Sequence, residues 1–241
     1  MSLLLESKKL KRTGYFPAFL VGGLLAAAFP VVNMAARSEN YVGLPGNPFY
    51  ILMDANWQMM AMLNILFVVC GACIMYHTEY ADNGAQKMDV LPIRSGNMFF
   101  GKFVILVLVL TVMIAIETAV LTGCVIHWFT DYAFSLLDAY KSAGFQLAVT
   151  LPTVMLMLVI ASACKNMWVS LGIGVILVFI FSILPQDNLI LSLCPFSSPY
   201  QIFASVAGKQ NTAVFLGVCA AETVMFGIAG MIYQKVTRCF A

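Results

Sequence analysis

Six apolar stretches, each about as long as a bilayer is thick, constrain this chain more than any motif in it. They cover residues 15–36, 55–76, 98–126, 144–164, 167–184 and 212–233. A helix needs about 20 mostly apolar residues to cross the hydrocarbon core. The runs are continuous rather than alternating, which argues for helices over barrel strands, and lipid offers no partner to an open sheet edge. With 61% of 241 residues hydrophobic and only 10% charged, a soluble domain has too little polar surface to cover itself. The expected fold class is an all-α polytopic membrane protein with six transmembrane helices in one domain, residues 1–241.

The charges between the stretches orient them. Lys8, Lys9, Lys11, Arg12, Lys87, Arg94, Lys102, Lys165, Lys235 and Arg238 fall on one side, and Arg37, Lys141 and Lys209 on the other. That bias marks the first side, with both termini, as cytoplasmic. Glu39, Asp131, Asp138 and Asp187 make the outer loops mildly acidic. The first apolar run is too long for the core of a signal peptide and is read as an uncleaved helix. Residues 1–13 mix Leu with Lys and Arg and suit a short helix lying in the inner interface. Residues 185–211 hold three prolines, several serines and apolar pieces too short to span. They are read as an outer segment that re-enters the outer leaflet, shielded by protein, before the last helix.

The seven cysteines are an odd number, and only Cys194 lies clearly in an outer segment, so no outer intrachain disulfide can be drawn. Cys70, Cys73 and His77 share a helical face by spacing, a soft donor set for zinc or copper. No fourth ligand is evident, and no metal is expected. His127 beside Trp128 reads as an interfacial residue.

The stretch from His77 to Lys102, HTEYADNGAQKMDVLPIRSGNMFFGK, is the one large polar feature on the cytoplasmic side. Its charges Glu79, Asp82, Lys87, Asp89 and Arg94 alternate with Tyr80, Met88, Val90 and Leu91. Asn83–Gly84 is a turn signal, and Pro92 breaks the chain before the third span. Arg94 and Lys102 are expected to anchor that span at headgroup level. The stretch reads as a docking element for a soluble partner. The alternative is a plain amphipathic turn on the membrane surface.

An acidic residue after a membrane helix (Glu79), a Leu91-Pro92-Ile93-Arg94 turn and a Lys at the head of the next helix (Lys102) resemble the ABC-2-type transporter permeases. Six helices, an amphipathic start and a broken segment before the last helix are similar too. Within that family the chain looks most like the permeases of lantibiotic-immunity transporters. The resemblance implies permeases working in pairs with two copies of an ABC ATPase. It implies that residues 77–97 form the coupling loop, with Glu79, Tyr80, Asp82, Lys87, Met88, Leu91 and Arg94 contacting the ATPase. ATP and Mg would belong to that partner, since this chain has no G-x-x-x-x-G-K-[ST] motif. It further implies a second, different permease, a bacterial cytoplasmic membrane and an amphipathic antimicrobial peptide as the exported substrate. No nucleic acid is expected.

Gly14, Ala18, Gly22 and Ala26 recur every four residues in helix one, and Ser170 and Gly174 do so in helix five. Small faces let helices approach closely in lipid. They are read as the dimer interface, with packing inside the chain as the alternative. Glu117 and Glu222 lie within spans, where a charge is costly. Each is either part of a substrate path for a cationic group or a neutral Glu bonded to a neighbouring helix, the second reading being favoured for Glu117. A membrane enzyme is disfavoured because there is no H-E-x-x-H and no G-x-S-x-G. Two alternatives stay open: an ABC-2 exporter of another substrate, such as a drug or a lipid-linked molecule, and a membrane sensor that docks an ATPase without moving a substrate.

Overall fold

A computed structural model of the chain describes residues 2–11, 13–80, 95–130, 135–164, 166–184, 188–209 and 212–240. Among them there is no strand. The helices are α1 (Ser2–Lys11), α2 (Tyr15–Arg37), α3 (Pro48–Tyr80), α4 (Ser95–Trp128), α5 (Leu136–Ala163), α6 (Met167–Ile183), α7 (Leu189–Ser192), α8 (Phe203–Lys209) and α9 (Thr212–Phe240).

Among the described residues, five helices are long and apolar enough to cross a membrane, lying in α2, α3, α4, α5 and α9. The sixth expected span, α6, has 17 residues, about 25 Å of helix against roughly 30 Å of hydrocarbon. The remaining helices begin or end beyond their apolar cores. The N-terminal part of α3, read from the sequence as loop, is helical because Pro48 starts the helix and Asn47 Oδ1 accepts the amide of Phe49. Likewise α5 starts at Leu136 rather than at 144, with Asn47 Nδ2 donating to Asp138 Oδ2 to tie the two helix starts together.

Helix α3 is the central element and packs against α2, α4, α5 and α6. Its buried positions include Trp57, Met60, Asn64, Val68, Gly71 and Met75, at the three-and-four spacing of one helical stripe. Closeness depends on glycine at two crossings. A Cβ on Gly71 would stand 2.6 Å from Phe19 Cζ and 2.9 Å from Leu106 Cδ1, and one on Gly22 would stand 2.5 Å from Phe67 Cζ. Where lipid is as apolar as the helix surface, this close packing is what holds helices together.

The middle of the broken segment 188–209, residues 196–202, lies inside the bundle. Phe196, Ser197, Ser198 and Tyr200 are buried against α3, α5 and α6. Its irregular backbone is met by side chains. Trp57 Nε1 donates to Pro199 O at 2.8 Å, Gln146 Nε2 donates to Gln201 O at 2.9 Å, and Thr153 Oγ1 donates to Pro195 O. In return Ser198 Oγ donates to Val149 O at 2.8 Å, beside Pro152, which interrupts the α5 ladder. Non-helical backbone buried away from water requires such partners. Phe145 of α5 meets Phe203 of α8 edge-on and Phe215 of α9 face-on, closing this end.

Candidate coupling site

Four charges meet at the end of the bundle that carries α1. Lys102, in the second turn of α4, is 1% exposed at its side chain and donates to Glu79 Oε1 at 2.6 Å. Its ammonium also stands 3.8 Å from Glu6 of α1 and 4.9 Å above the Tyr76 ring. Lys9 pairs with Glu6 at 2.9 Å and with Glu79 at 3.6 Å. Burying a charge is tolerated only with partners of this quality. Lys102 was expected at headgroup level. It is instead buried inside the protein, because α1 folds over it and supplies a second carboxylate.

Two tyrosines extend the node. Tyr76 Oη accepts from Gln234 Nε2 of α9 at 2.7 Å, and Tyr80 Oη donates to Ser162 O of α5 at 2.7 Å. The rings stack at 6.3 Å. Five helices, α1, α3, α4, α5 and α9, are thus joined around the chain positions where α3 ends and α4 begins. Of the expected coupling residues, Glu79 and Tyr80 lie in this node. Asp82, Lys87, Met88, Leu91 and Arg94 lie outside the described residues. Glu6, Lys9, Tyr76 and Gln234 were missed by sequence reasoning. Glu6 and Lys9 carried one signal, an i,i+3 pair of opposite charge on a short helix.

The run Gly96 to Lys102 has the glycine and lysine spacing of a phosphate loop, but residue 103 is Phe and α4 is already helical there. With Lys102 in ion pairs, this stretch is a helix start and not a phosphate cradle.

A family model described as "ABC-2 family transporter protein" matches residues 2–181. The chain belongs to that family. No curated protein and no solved structure matches the chain significantly. This ABC-2 chain is a multi-pass membrane component, and membership implies association with an ABC ATPase, which in this family is usually a separate subunit.

The other expected site residues of the ABC-2 chain are dispersed. Glu117 of α4 is fully buried and accepts from Asn64 Nδ2 of α3 at 2.9 Å, the neighbouring-helix bond of the second reading. Its other oxygen and Asn64 Oδ1 have no hydrogen-bond partner. Glu222 of α9 is half-buried, with Oε2 enclosed and unpartnered.

The row of small residues in α2 divides. Gly14, at the left-handed turn before the helix (φ 71°), and Ala18 are exposed, whereas Gly22 packs on Phe67 and Ala26 is buried. Four residues overshoot a turn by about 40°, so three such steps rotate the row by about 120°. Ser170 donates to Met167 O and meets Cys73 Sγ at 3.2 Å, and Gly174 lies against Val69 and Met157. Cys70 is half-buried and His77 exposed, and among the described residues no group of three His, Cys, Asp or Glu side chains could hold a metal.

Proposed function

We propose that the chain is the permease subunit of an ATP-driven exporter that moves an amphipathic substrate, of the lantibiotic peptide type, out of the cytoplasmic membrane of a bacterium. The family match over residues 2–181 supports the permease class, and the substrate type rests on the resemblance of the polar stretch to lantibiotic-immunity permeases. In it α6 is a sixth crossing, since 17 strongly apolar residues lie at the short end of what spans. Both termini and the charge node then face the cytoplasm, and 188–209 re-enters from the outer side. The bias of positive loop charge supports that orientation.

Two ABC ATPase copies, holding ATP and Mg, dock on residues 77–97, and their closure tilts α3 and α4 through the node. A second permease, a different homologous chain, completes the path. Its contact on this chain includes the open face of α2, where Gly14 and Ala18 remain exposed. Glu222 faces the path and receives a cationic group of the substrate, so Glu222→Gln should lower export of a cationic peptide while leaving the subunit assembled. The deciding test is a gentle pull-down of the tagged chain from native membranes. Recovery of an ABC ATPase with a second permease supports the reading. Recovery of neither, under conditions where known transporters keep theirs, overturns it.

A further inference from the structure

The four-charge node divides along an unusual line. Its two short contacts, Glu6–Lys9 at 2.9 Å and Glu79–Lys102 at 2.6 Å, each lie on one side: the first within α1, the second between α3 and α4. Its two long contacts, Lys9–Glu79 at 3.6 Å and Glu6–Lys102 at 3.8 Å, cross between α1 and the bundle. Each side is therefore neutral by itself. Separation across the long contacts strands no charge, whereas any other division leaves a buried ion without its closest partner. Leu10, buried with Glu6, is the chief apolar contact of the described α1 side chains, and an interfacial helix can return such a residue to lipid rather than to water. A permissive residue stands at the join between α1 and α2. Gly14 holds a left-handed conformation, φ 71° and ψ 12°, immediately before α2, and nothing lies within 4 Å of where its Cβ would be.

We propose that α1 is a detachable clasp, which leaves and rejoins the ends of α3 and α4 as a unit along this seam, and that the partner ATPase operates it. The second half rests on the permease reading above. While engaged, α1 holds Lys102 between two carboxylates and keeps the ends of α3 and α4 together. Once released, those ends keep Glu79–Lys102 and the tyrosine contacts to α5 and α9 but lose the second carboxylate on Lys102.

Amide hydrogen exchange on the full chain in lipid nanodiscs tests the seam. The double variant Glu6→Lys/Lys9→Glu keeps the internal pair of α1 but turns both crossing contacts into like-charge contacts. Residues 2–11 should exchange several-fold faster, with the start of α4 and the melting temperature unchanged. Adding Glu79→Lys and Lys102→Glu restores opposite signs across the seam and should return α1 to its original rate. Unchanged exchange in the double variant, or a fall in melting temperature that accompanies the faster exchange, overturns the clasp. The second arm uses the complex with its ATPase. Exchange of residues 2–11 should differ between the nucleotide-free and ATP-trapped states, and equal rates in a complex that hydrolyses ATP overturn its operation by the partner. If no ATPase associates, the permease reading fails, and the first arm still decides the seam.

Discussion

Lys102 is buried near the head of α4. A lysine at the head of a membrane helix ordinarily extends its ammonium to the headgroups. Here two carboxylates from separate elements, Glu79 and Glu6, reach it first. Pairing of residues so distant in the chain leaves no local pattern. Lys102→Met would take from the largely buried Glu79 its closest cation, leaving it only the longer contact to Lys9, and a loss of up to about 3–5 kcal/mol is expected. Thermal unfolding in detergent measures it, with Lys102→Arg as the comparison that should lose clearly less. Glu117 was legible as an intramembrane acid bound to a neighbouring helix, but its partner, Asn64, could only come from the packing.

At the scale of elements, hydropathy located all the long helices but not their ends, since a helix continues past the lipid wherever its capping groups allow. The small residues of α2 were legible and their face was not. The buried stripe follows Tyr15, Phe19, Gly22, Ala26, Pro30 and Met34 rather than a strict four-residue row. Close approach at glycine has a direct test. Gly71→Ala brings a methyl within 2.9 Å of three buried side chains, Phe19, Leu106 and Tyr15. Overpacking of this kind should cost roughly 1–3 kcal/mol, read as a lower melting temperature. The irregular segment makes a separate prediction. Trp57→Phe keeps an aromatic ring, though a smaller one, and removes the donor to Pro199 O, leaving a buried carbonyl unpaired at a cost of about 1–3 kcal/mol. Amide exchange should rise in residues 195–202 and stay level in α3.

For the whole molecule, the all-helical membrane class followed from composition and run length alone, and the family from one short polar stretch set in a six-helix layout with an amphipathic start and a broken segment before the last helix. The number of crossings depends on α6. If it spans, tags on the two termini are on the same side, and neither is reached by an impermeant reagent in intact cells, while a cysteine replacing Asn40 is labelled from outside. Termini on opposite sides would reduce the count to five. The segment 188–209 was legible as broken and partly buried, because its prolines and apolar pieces fit neither a span nor an exposed loop. The side chains that receive it were not legible, since they come from helices far away in sequence. Their order along the chain bears on how the protein is made. Trp57, Gln146 and Thr153 all precede the carbonyls they serve, at Pro199, Gln201 and Pro195. A ribosome delivers the chain from its N-terminus, so each donor has already entered the membrane when its acceptor emerges. The most awkward stretch of backbone thus arrives late, at a site its predecessors have prepared, and α9 is inserted after it.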